Sequence, residues 1–126
     1  MKKVTLLLSM IALIGFGLKA NAQEEVSKEL LLTTLNSVAS LKLDNDKVNK
    51  LMEYNTGFVD QVSEILDSDK DEKRKKESLE ALSQTRESDL HDFLTKHETN
   101  KYLKLMEDEL KPLTRKNKLL KHIAKI

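Results

Sequence analysis

The chain has 126 residues, of which 39% are hydrophobic, 34% are charged and 4% are aromatic, and its formal net charge is +1. It contains no cysteine, which excludes disulfides, thiol catalysis and cysteine metal sites. Three glycines and one proline are too few to supply the turns of a many-stranded sheet. The composition therefore predicts an all-α protein built from amphipathic helices.

The N-terminus has the three parts of a secretory signal peptide. Lys2 and Lys3 precede an apolar run at residues 4–18, and the small residues Ala20-Asn21-Ala22 follow it. The run is shorter than the roughly 20 residues that a membrane-spanning helix needs. The sequence therefore predicts that residues 1–22 are removed after Ala22 and that the mature protein is periplasmic or secreted.

Charge divides the predicted mature chain into two parts. Residues 23–110 hold 13 Lys or Arg and 21 Asp or Glu, whereas residues 111–126 hold 6 basic residues and no acidic one. We expect a helical domain at 23–110 and, after a helix end or kink at Pro112, a basic amphipathic helix at 111–126. This segment suits either the membrane surface or the acidic body of the protein itself. Nucleic acid is not an expected partner, because no aromatic stacking platform accompanies the basic residues.

Apolar spacing predicts about four helices in the domain, of which the first spans residues 24–40. The second begins after Asp44, a good N-cap, and carries the clearest apolar stripe, from Val48 to Leu66. Asn55 stands in this stripe, either as a buried polar residue that fixes register or as a residue at its edge. Gly57 costs about 1 kcal/mol relative to alanine in a helix interior, which a close helix crossing would explain.

Capping residues define the other two predicted helices. Ser68, with Asp71 three residues later, predicts the start of the third helix, whose first part at residues 70–77 is nearly all charged and should be solvated. Thr95 and Glu98 match a capping box, in which each side chain satisfies the other residue's backbone amide. A fourth helix should therefore begin at Thr95.

The sequence contains no recognisable catalytic motif, since it lacks a nucleophile elbow, a phosphate-binding glycine loop and a zinc-protease histidine pair. We therefore predict a protein that is not an enzyme and that uses no cofactor. His91, four residues after Glu87, and the nearby His97 are weak candidates for a metal site.

We expect a client or partner surface in two places, the aromatic part of the second helix and the basic C-terminal segment. The candidate residues are Leu51, Tyr54, Phe58, Arg115, Lys116 and Lys118.

Two short stretches of this sequence resemble Spy/CpxP-like periplasmic proteins, small all-helical proteins marked by two LTxxQ motifs. LDNDK at residues 43–47 is similar to the first motif, with Asp in place of Thr and Lys in place of Gln. LTKHE at residues 94–98 is similar to the second, with Glu in place of Gln. The resemblance covers residues 41–110. The motif-like helix caps are Leu43, Asp44, Leu94, Thr95 and Glu98.

The resemblance implies a four-helix cradle in a helical-hairpin arrangement, often a homodimer, which holds unfolded proteins without ATP or acts as an envelope-stress adaptor. We therefore expect chaperone-like binding of unfolded or envelope proteins in the periplasm. Two alternatives remain open. One is a metal-sensing regulatory domain built on His91 and His97, and the other is a structural envelope protein that contacts the membrane peripherally through its basic tail.

Overall fold

The computed structural model describes residues 26–124, and every regular element in this part of the chain is a helix. The bounds are Lys28–Leu35 for α1, Asn45–Asp67 for α2, Glu72–Leu90 for α3, Lys96–Glu109 for α4, Lys111–Lys116 for α5 and Lys121–Ala124 for α6. Short 3-10 turns lie at Ala39–Leu41 and Lys118–Leu120. The predicted all-α class is confirmed. The predicted signal peptide at residues 1–22 lies outside the described residues.

The first helix is shorter than the apolar spacing predicts. α1 follows the N-cap Ser27, whose hydroxyl accepts the amide hydrogen of Leu30 at 3.1 Å, and it stops at the C-cap Asn36. Residues 33–37 (TTLNS), which surround this C-cap, are mostly β-branched or polar. Such residues favour caps and turns over helix interiors. Lys42, with a left-handed φ of 53°, then redirects the chain into α2. The prediction of one helix reaching residue 40 is therefore wrong.

The junction between α2 and α3 also differs from the prediction. Ser68 is the C-cap of α2, and its hydroxyl donates to the carbonyl of Ile65 at 2.7 Å. Asp71 is the N-cap of α3 instead, because its carboxylate accepts the amide hydrogen of Arg74 at 2.9 Å. The charged run is largely exposed, as predicted. Within it, Lys75 donates from Nζ to the carbonyl of Leu66 at 2.7 Å and so satisfies the end of α2.

The start of α4 is confirmed as a capping box. Thr95 Oγ1 accepts the amide hydrogen of Glu98 at 3.1 Å, and Glu98 Oε1 accepts that of Thr95 at 2.9 Å. Asp44 is the N-cap of α2, as predicted, although its side chain makes no capping hydrogen bond. Both predicted helix starts are therefore present, but only the second has the predicted cap chemistry.

The six helices within residues 26–124 all contribute to one hydrophobic core. α1 packs against α2 and α4, α2 packs against α3, and α6 packs against α3 and α4. In the described part of the chain, no helix is long and apolar enough to cross a membrane. The buried apolar residues include Leu31, Leu35, Leu51, Phe58, Val59, Val62, Leu79, Leu90, Tyr102, Met106, Leu113, Leu120 and Ile123.

The C-terminal segment is part of that core. The sequence predicts one short helix after Pro112, whereas the structure has α5, a turn and α6, separated by the extended backbone of Asn117. Pro112 lies in the first turn of α5, where no intrahelical hydrogen bond needs its missing amide hydrogen. The proline therefore follows the end of α4 and is compatible with the start of α5. Leu120 and Ile123 are buried. The segment therefore docks on the body of the protein through apolar contacts.

A candidate binding groove and its buried polar support

Two shallow depressions follow each other along α2, the first beside Phe93 in the turn after α3 and the second between α2 and α3, and together we call them the α2–α3 groove. Both are open to solvent, and Gln61 belongs to both. The first has a volume of about 540 Å³ and is lined by Lys50, Glu53, Tyr54, Gly57, Phe58, Gln61 and Phe93. The second has a volume of about 390 Å³ and is lined by Gln61, Glu64, Ile65, Lys70, Ser78, Ala81, Leu82 and Thr85. An open groove along two helices suits an extended chain better than an enclosed small molecule.

Gly57 leaves the α2 backbone bare at the centre of the first depression. A Cβ atom built at this position would meet nothing within 4 Å, and the backbone has no positive φ. Neither internal packing nor backbone conformation therefore requires glycine here, although glycine weakens a helix interior by about 1 kcal/mol. The predicted close helix crossing at Gly57 is wrong.

An aromatic pair forms the wall of the first depression. The rings of Tyr54 and Phe58 are stacked, with centroids 6.4 Å apart and planes inclined by 20°. The Tyr54 hydroxyl donates to Asp89 Oδ2 at 2.9 Å, which ties α2 to α3. Burial raises the pKa of Tyr54, and the hydrogen bond to Asp89 raises it further. The hydroxyl therefore stays protonated and keeps donating throughout the physiological pH range.

Beneath this wall lies a buried polar network centred on Arg86, which is 1% exposed. Arg86 Nη2 donates to Tyr102 Oη at 2.6 Å and to Asn55 Oδ1 at 3.3 Å. The Tyr102 hydroxyl in turn donates to the carbonyl of Leu35 at 2.7 Å. The network therefore joins all of the first four helices, and it lies where α1 ends.

Asn55 completes the network with its amide nitrogen. Nδ2 lies 2.9 Å from Asn36 Oδ1, 3.2 Å from the Leu35 carbonyl and 3.2 Å from Tyr102 Oη. The interpretation of Asn55 as a buried polar residue is therefore correct, and the interpretation that places it at the edge of the apolar stripe is wrong. The reason is that the end of α1 and the side chains of α3 and α4 supply enough partners to satisfy a buried amide.

Arg86 is stabilised by aromatic rings and neutral oxygens. Its guanidinium carbon lies 4.5 Å from the centroid of the Phe58 ring and 5.1 Å from that of the Tyr102 ring. Among the described residues no carboxylate lies within ion-pair distance of Arg86, and its Nε has no hydrogen-bond partner. A buried cation held in this way makes its neighbours interdependent, because losing any one of them leaves charge or polar atoms unsatisfied.

The predicted contact residues do not form one surface. Leu51 and Phe58 are buried in the core, so neither side chain is exposed for contact, although Phe58, at 2% exposed, also lines the first depression. Tyr54 is half-buried and lines the groove. The basic residues of the C-terminal segment are exposed but do not line the groove; they are Arg115, Lys116 and Lys118.

Sequence reasoning missed several groove and network residues. Arg86 stands between Leu82 and Leu90 at helical spacing, so an arginine in an apolar stripe was a signal that could have found it. Phe93 and Gln61 had no such signal, because their place in the groove depends on how α2 and α3 pack.

The histidines are distributed over three separate places. His91 is exposed at the end of α3, and His97 is exposed in the first turn of α4. Among the residues that the structure describes, no group of three or more His, Cys, Asp or Glu side chains could hold a metal ion. His122 is buried in α6 and lies next to Glu80.

The two motif-like helix starts contact each other. Lys47 Nζ lies 2.7 Å from Glu98 Oε1, and this contact joins the first turn of α2 to the first turn of α4. The hydrogen bond from Lys47 holds the pKa of Glu98 below its ordinary value of 4.5, and the backbone hydrogen bond from Thr95 lowers it further. Lys47 and Glu98 are the two positions at which the motifs depart from glutamine, so the two departures form one ion pair.

Comparison with known proteins finds no matching family model, no matching curated protein and no matching solved structure. The groove, its glycine and the network beneath it therefore carry the functional interpretation. The residues that line the groove include neither cysteine nor histidine.

Proposed function

We propose that this protein is an exported, ATP-independent binding protein that holds extended segments of unfolded or partner proteins in the α2–α3 groove. The observation that carries the proposal is Gly57. It is an exposed glycine in a long helix, it lines the groove, and no contact among the described residues requires it. A bare helix backbone allows another chain to approach more closely than any side chain would permit.

The groove's chemistry suits loose and reversible contact. Its first depression offers the aromatic surfaces of Tyr54 and Phe93 between the opposite charges of Lys50 and Glu53. A surface that combines apolar area with both signs of charge discriminates little between partners, as a binder of varied segments must.

Exposed apolar area elsewhere is small. Among the described residues, the large hydrophobic side chains that are exposed are Leu30, at 40%, and Met52, at 43%. A broad apolar patch would promote aggregation of the protein itself. Binding in a groove lined by mixed residues avoids that risk.

The buried network supports the groove from below. The Phe58 ring contacts both the Tyr54 ring and the Arg86 guanidinium, and the Tyr54 hydroxyl donates to Asp89. A wall held in this way is preorganised, so less ordering entropy is lost when a segment binds.

Export and the family resemblance supply the cellular setting of the proposal. The predicted signal peptide would direct the chain to the periplasm or the exterior. The resemblance to Spy/CpxP-like proteins implies a chaperone or stress-response role and a homodimer, and the Lys47–Glu98 pair offers a physical reason for both departures from the LTxxQ motif.

The two alternatives have less support. A metal-sensing domain needs ligands close together, and His91 and His97 lie in no metal-binding group among the described residues. A membrane anchor needs an accessible apolar face, whereas Leu120 and Ile123 of the C-terminal segment are buried in the core.

A matched pair of leucine substitutions tests the proposal. Gly57→Leu places a large side chain in the groove, and Thr56→Leu places the same side chain on the neighbouring exposed position, which does not line the groove. The assay is the aggregation of chemically denatured citrate synthase after dilution, measured by light scattering with the mature protein present and without ATP. We expect the unmodified protein and Thr56→Leu to suppress aggregation and Gly57→Leu to lose that effect.

Stability measurements separate a binding defect from a folding defect. Because the space above Gly57 is open, Gly57→Leu should keep the helical circular dichroism and unfold no more readily than the unmodified protein. Equal suppression of aggregation by the two leucine variants, or no suppression by the unmodified protein, would contradict the proposal.

A further inference from the structure

The C-terminal segment is held on α3 next to a buried histidine. His122 in α6 is 7% exposed, and its Nδ1 lies 3.3 Å from Glu80 Oε2 in α3. The pair is within ion-pair distance, yet Nδ1 makes no hydrogen bond of acceptable geometry. On either side of His122 in the sequence, Leu120 and Ile123 are buried in the core. A titratable group is therefore enclosed in an otherwise apolar contact.

The charges around His122 oppose one another. Burial lowers the pKa of His122 below its ordinary value of 6.5, and Lys121 and Lys76 also lower it, whereas Glu80 raises it. α6 also packs against α4 and the Lys118–Leu120 turn. Among the described residues, the charges that act on the His122 pKa come from Glu80 and Lys76 on α3 and from Lys121 on α6 itself. The net effect favours the neutral imidazole in the docked segment.

We propose that residues 118–124 form an acid-sensitive latch, in which protonation of His122 loosens the segment from α3 and exposes its apolar residues. In the docked state, protonation of the imidazole adds a buried charge that Lys121 and Lys76 oppose and that Glu80 offsets. In the released state, the same charge is solvated.

The sign of the pH effect follows from linkage. In the released segment the pKa of His122 returns toward 6.5, above its value in the docked segment, so the released state binds the proton first as pH falls. Docking is therefore strongest above the ordinary histidine pKa and weakens as pH falls through and below it. The weakening is complete once pH lies below the docked-state pKa.

Release would add a second surface to the molecule. Leu120 and Ile123 would become accessible, and the part of α3 that they cover would be uncovered. This latch does not depend on the α2–α3 groove, since His122 and Glu80 do not line it. The latch and the groove can therefore fail independently in experiment.

Hydrogen exchange of the mature protein tests the latch. Exchange is followed by mass spectrometry from about pH 8 to about pH 5, the range that spans histidine titration, with rates corrected for the intrinsic pH dependence of exchange. We expect peptides that cover residues 118–124 to lose protection as pH falls, while peptides from the middle of α2 keep theirs. Unchanged protection of residues 118–124 over this range would overturn the proposal.

Three substitutions assign the effect to His122. His122→Phe keeps an aromatic ring without titration, so residues 118–124 should stay protected at every pH. Glu80→Gln removes the carboxylate that offsets the charge, so the loss of protection should be larger in acid. His91→Gln, at an exposed position outside the segment, should leave the profile unchanged. An unaltered acid response in His122→Phe would overturn the proposal.

A titration by nuclear magnetic resonance gives an answer even where His122→Phe fails to fold. With His91 and His97 replaced by glutamine, the remaining imidazole signal of the mature protein belongs to His122. A midpoint below 6.5 supports the latch, and a midpoint at or above 6.5 contradicts it.

Discussion

Arg86 is the buried charge of the polar network, in which Asn55 makes most of the hydrogen bonds. The charge of Arg86 is removed from water with no carboxylate partner among residues 26–124, and the compensation comes from two rings and two neutral oxygens. Such an arrangement adds little net stability, but it penalises any packing in which Asn55 and Tyr102 do not reach it. We infer that the network fixes how the first four helices meet.

Replacing Tyr102 with phenylalanine should test that role. The change removes one hydroxyl that accepts from Arg86 and Asn55 and donates to Leu35, so we expect a loss of about 1–3 kcal/mol in the free energy of unfolding. Urea unfolding followed by circular dichroism provides the measurement.

Tyr54→Phe is the matched control for Tyr102→Phe. It removes the same hydroxyl from a half-buried tyrosine whose hydroxyl makes one hydrogen bond, to Asp89, so the loss should be about 0.5–1.5 kcal/mol. Equal losses in the two variants would show that the hydroxyl in the buried network contributes no more to the free energy of unfolding than the single hydrogen bond of Tyr54.

Among the elements, the helix start with local cap chemistry at Thr95 was predictable, whereas the end of the first helix and the exact start of the third were not. The Thr95 capping box involves residues three apart, so the sequence alone contains both partners. Ser68 and Asp71 are both acceptable N-caps in the sequence. In the folded junction the Ser68 hydroxyl bonds to the end of α2, so Asp71 caps α3. The same limit applies to Asn55, whose partners come from 19 or more residues away in the sequence.

The capping box itself makes a sharp prediction. Thr95→Ala removes the acceptor for the Glu98 amide and should cost about 0.5–2 kcal/mol of stability, whereas Thr95→Ser should be nearly neutral. Thermal unfolding of the three proteins measures the difference. A melting curve for Thr95→Ala that matches the unmodified protein would show that the cap is not stabilising.

The Lys47–Glu98 pair should appear as an energetic coupling between α2 and α4. A double-mutant cycle with Lys47→Met and Glu98→Gln should give a coupling of about 0.2–1 kcal/mol at neutral pH, since both side chains are partly exposed. Because the pKa of Glu98 is lowered in the fold, this contribution is present above 4.5 and is lost as pH falls through the lowered pKa. The cycle is measured by urea unfolding at several pH values, and a coupling that persisted in strong acid would exclude this ion pair as its source.

On the scale of the whole molecule, the C-terminal segment contributes apolar side chains to the hydrophobic core. Its amphipathic pattern was visible in the sequence, but whether its apolar face meets the body or a membrane was not, because both environments bury the same residues. The structure places Leu113, Leu120 and Ile123 in the core that the other helices share. The positive charge of the segment indicated electrostatic contact with the acidic body as one option, whereas the contacts that dock the segment are mainly apolar.

A neighbouring pair of leucines separates docking from anchoring. Leu120 is buried and Leu119 is half-buried, so Leu120→Ala should cost about 2–5 kcal/mol of stability and Leu119→Ala clearly less. Urea unfolding measures the losses, and co-sedimentation with anionic phosphatidylglycerol vesicles measures membrane contact in the same proteins. If the segment were an anchor, both leucines would enter the bilayer, and each substitution would weaken vesicle binding with little effect on unfolding. Because the folded core already holds Leu120, we expect weak vesicle binding at neutral pH, no difference between the variants in that assay, and a stability loss concentrated at Leu120.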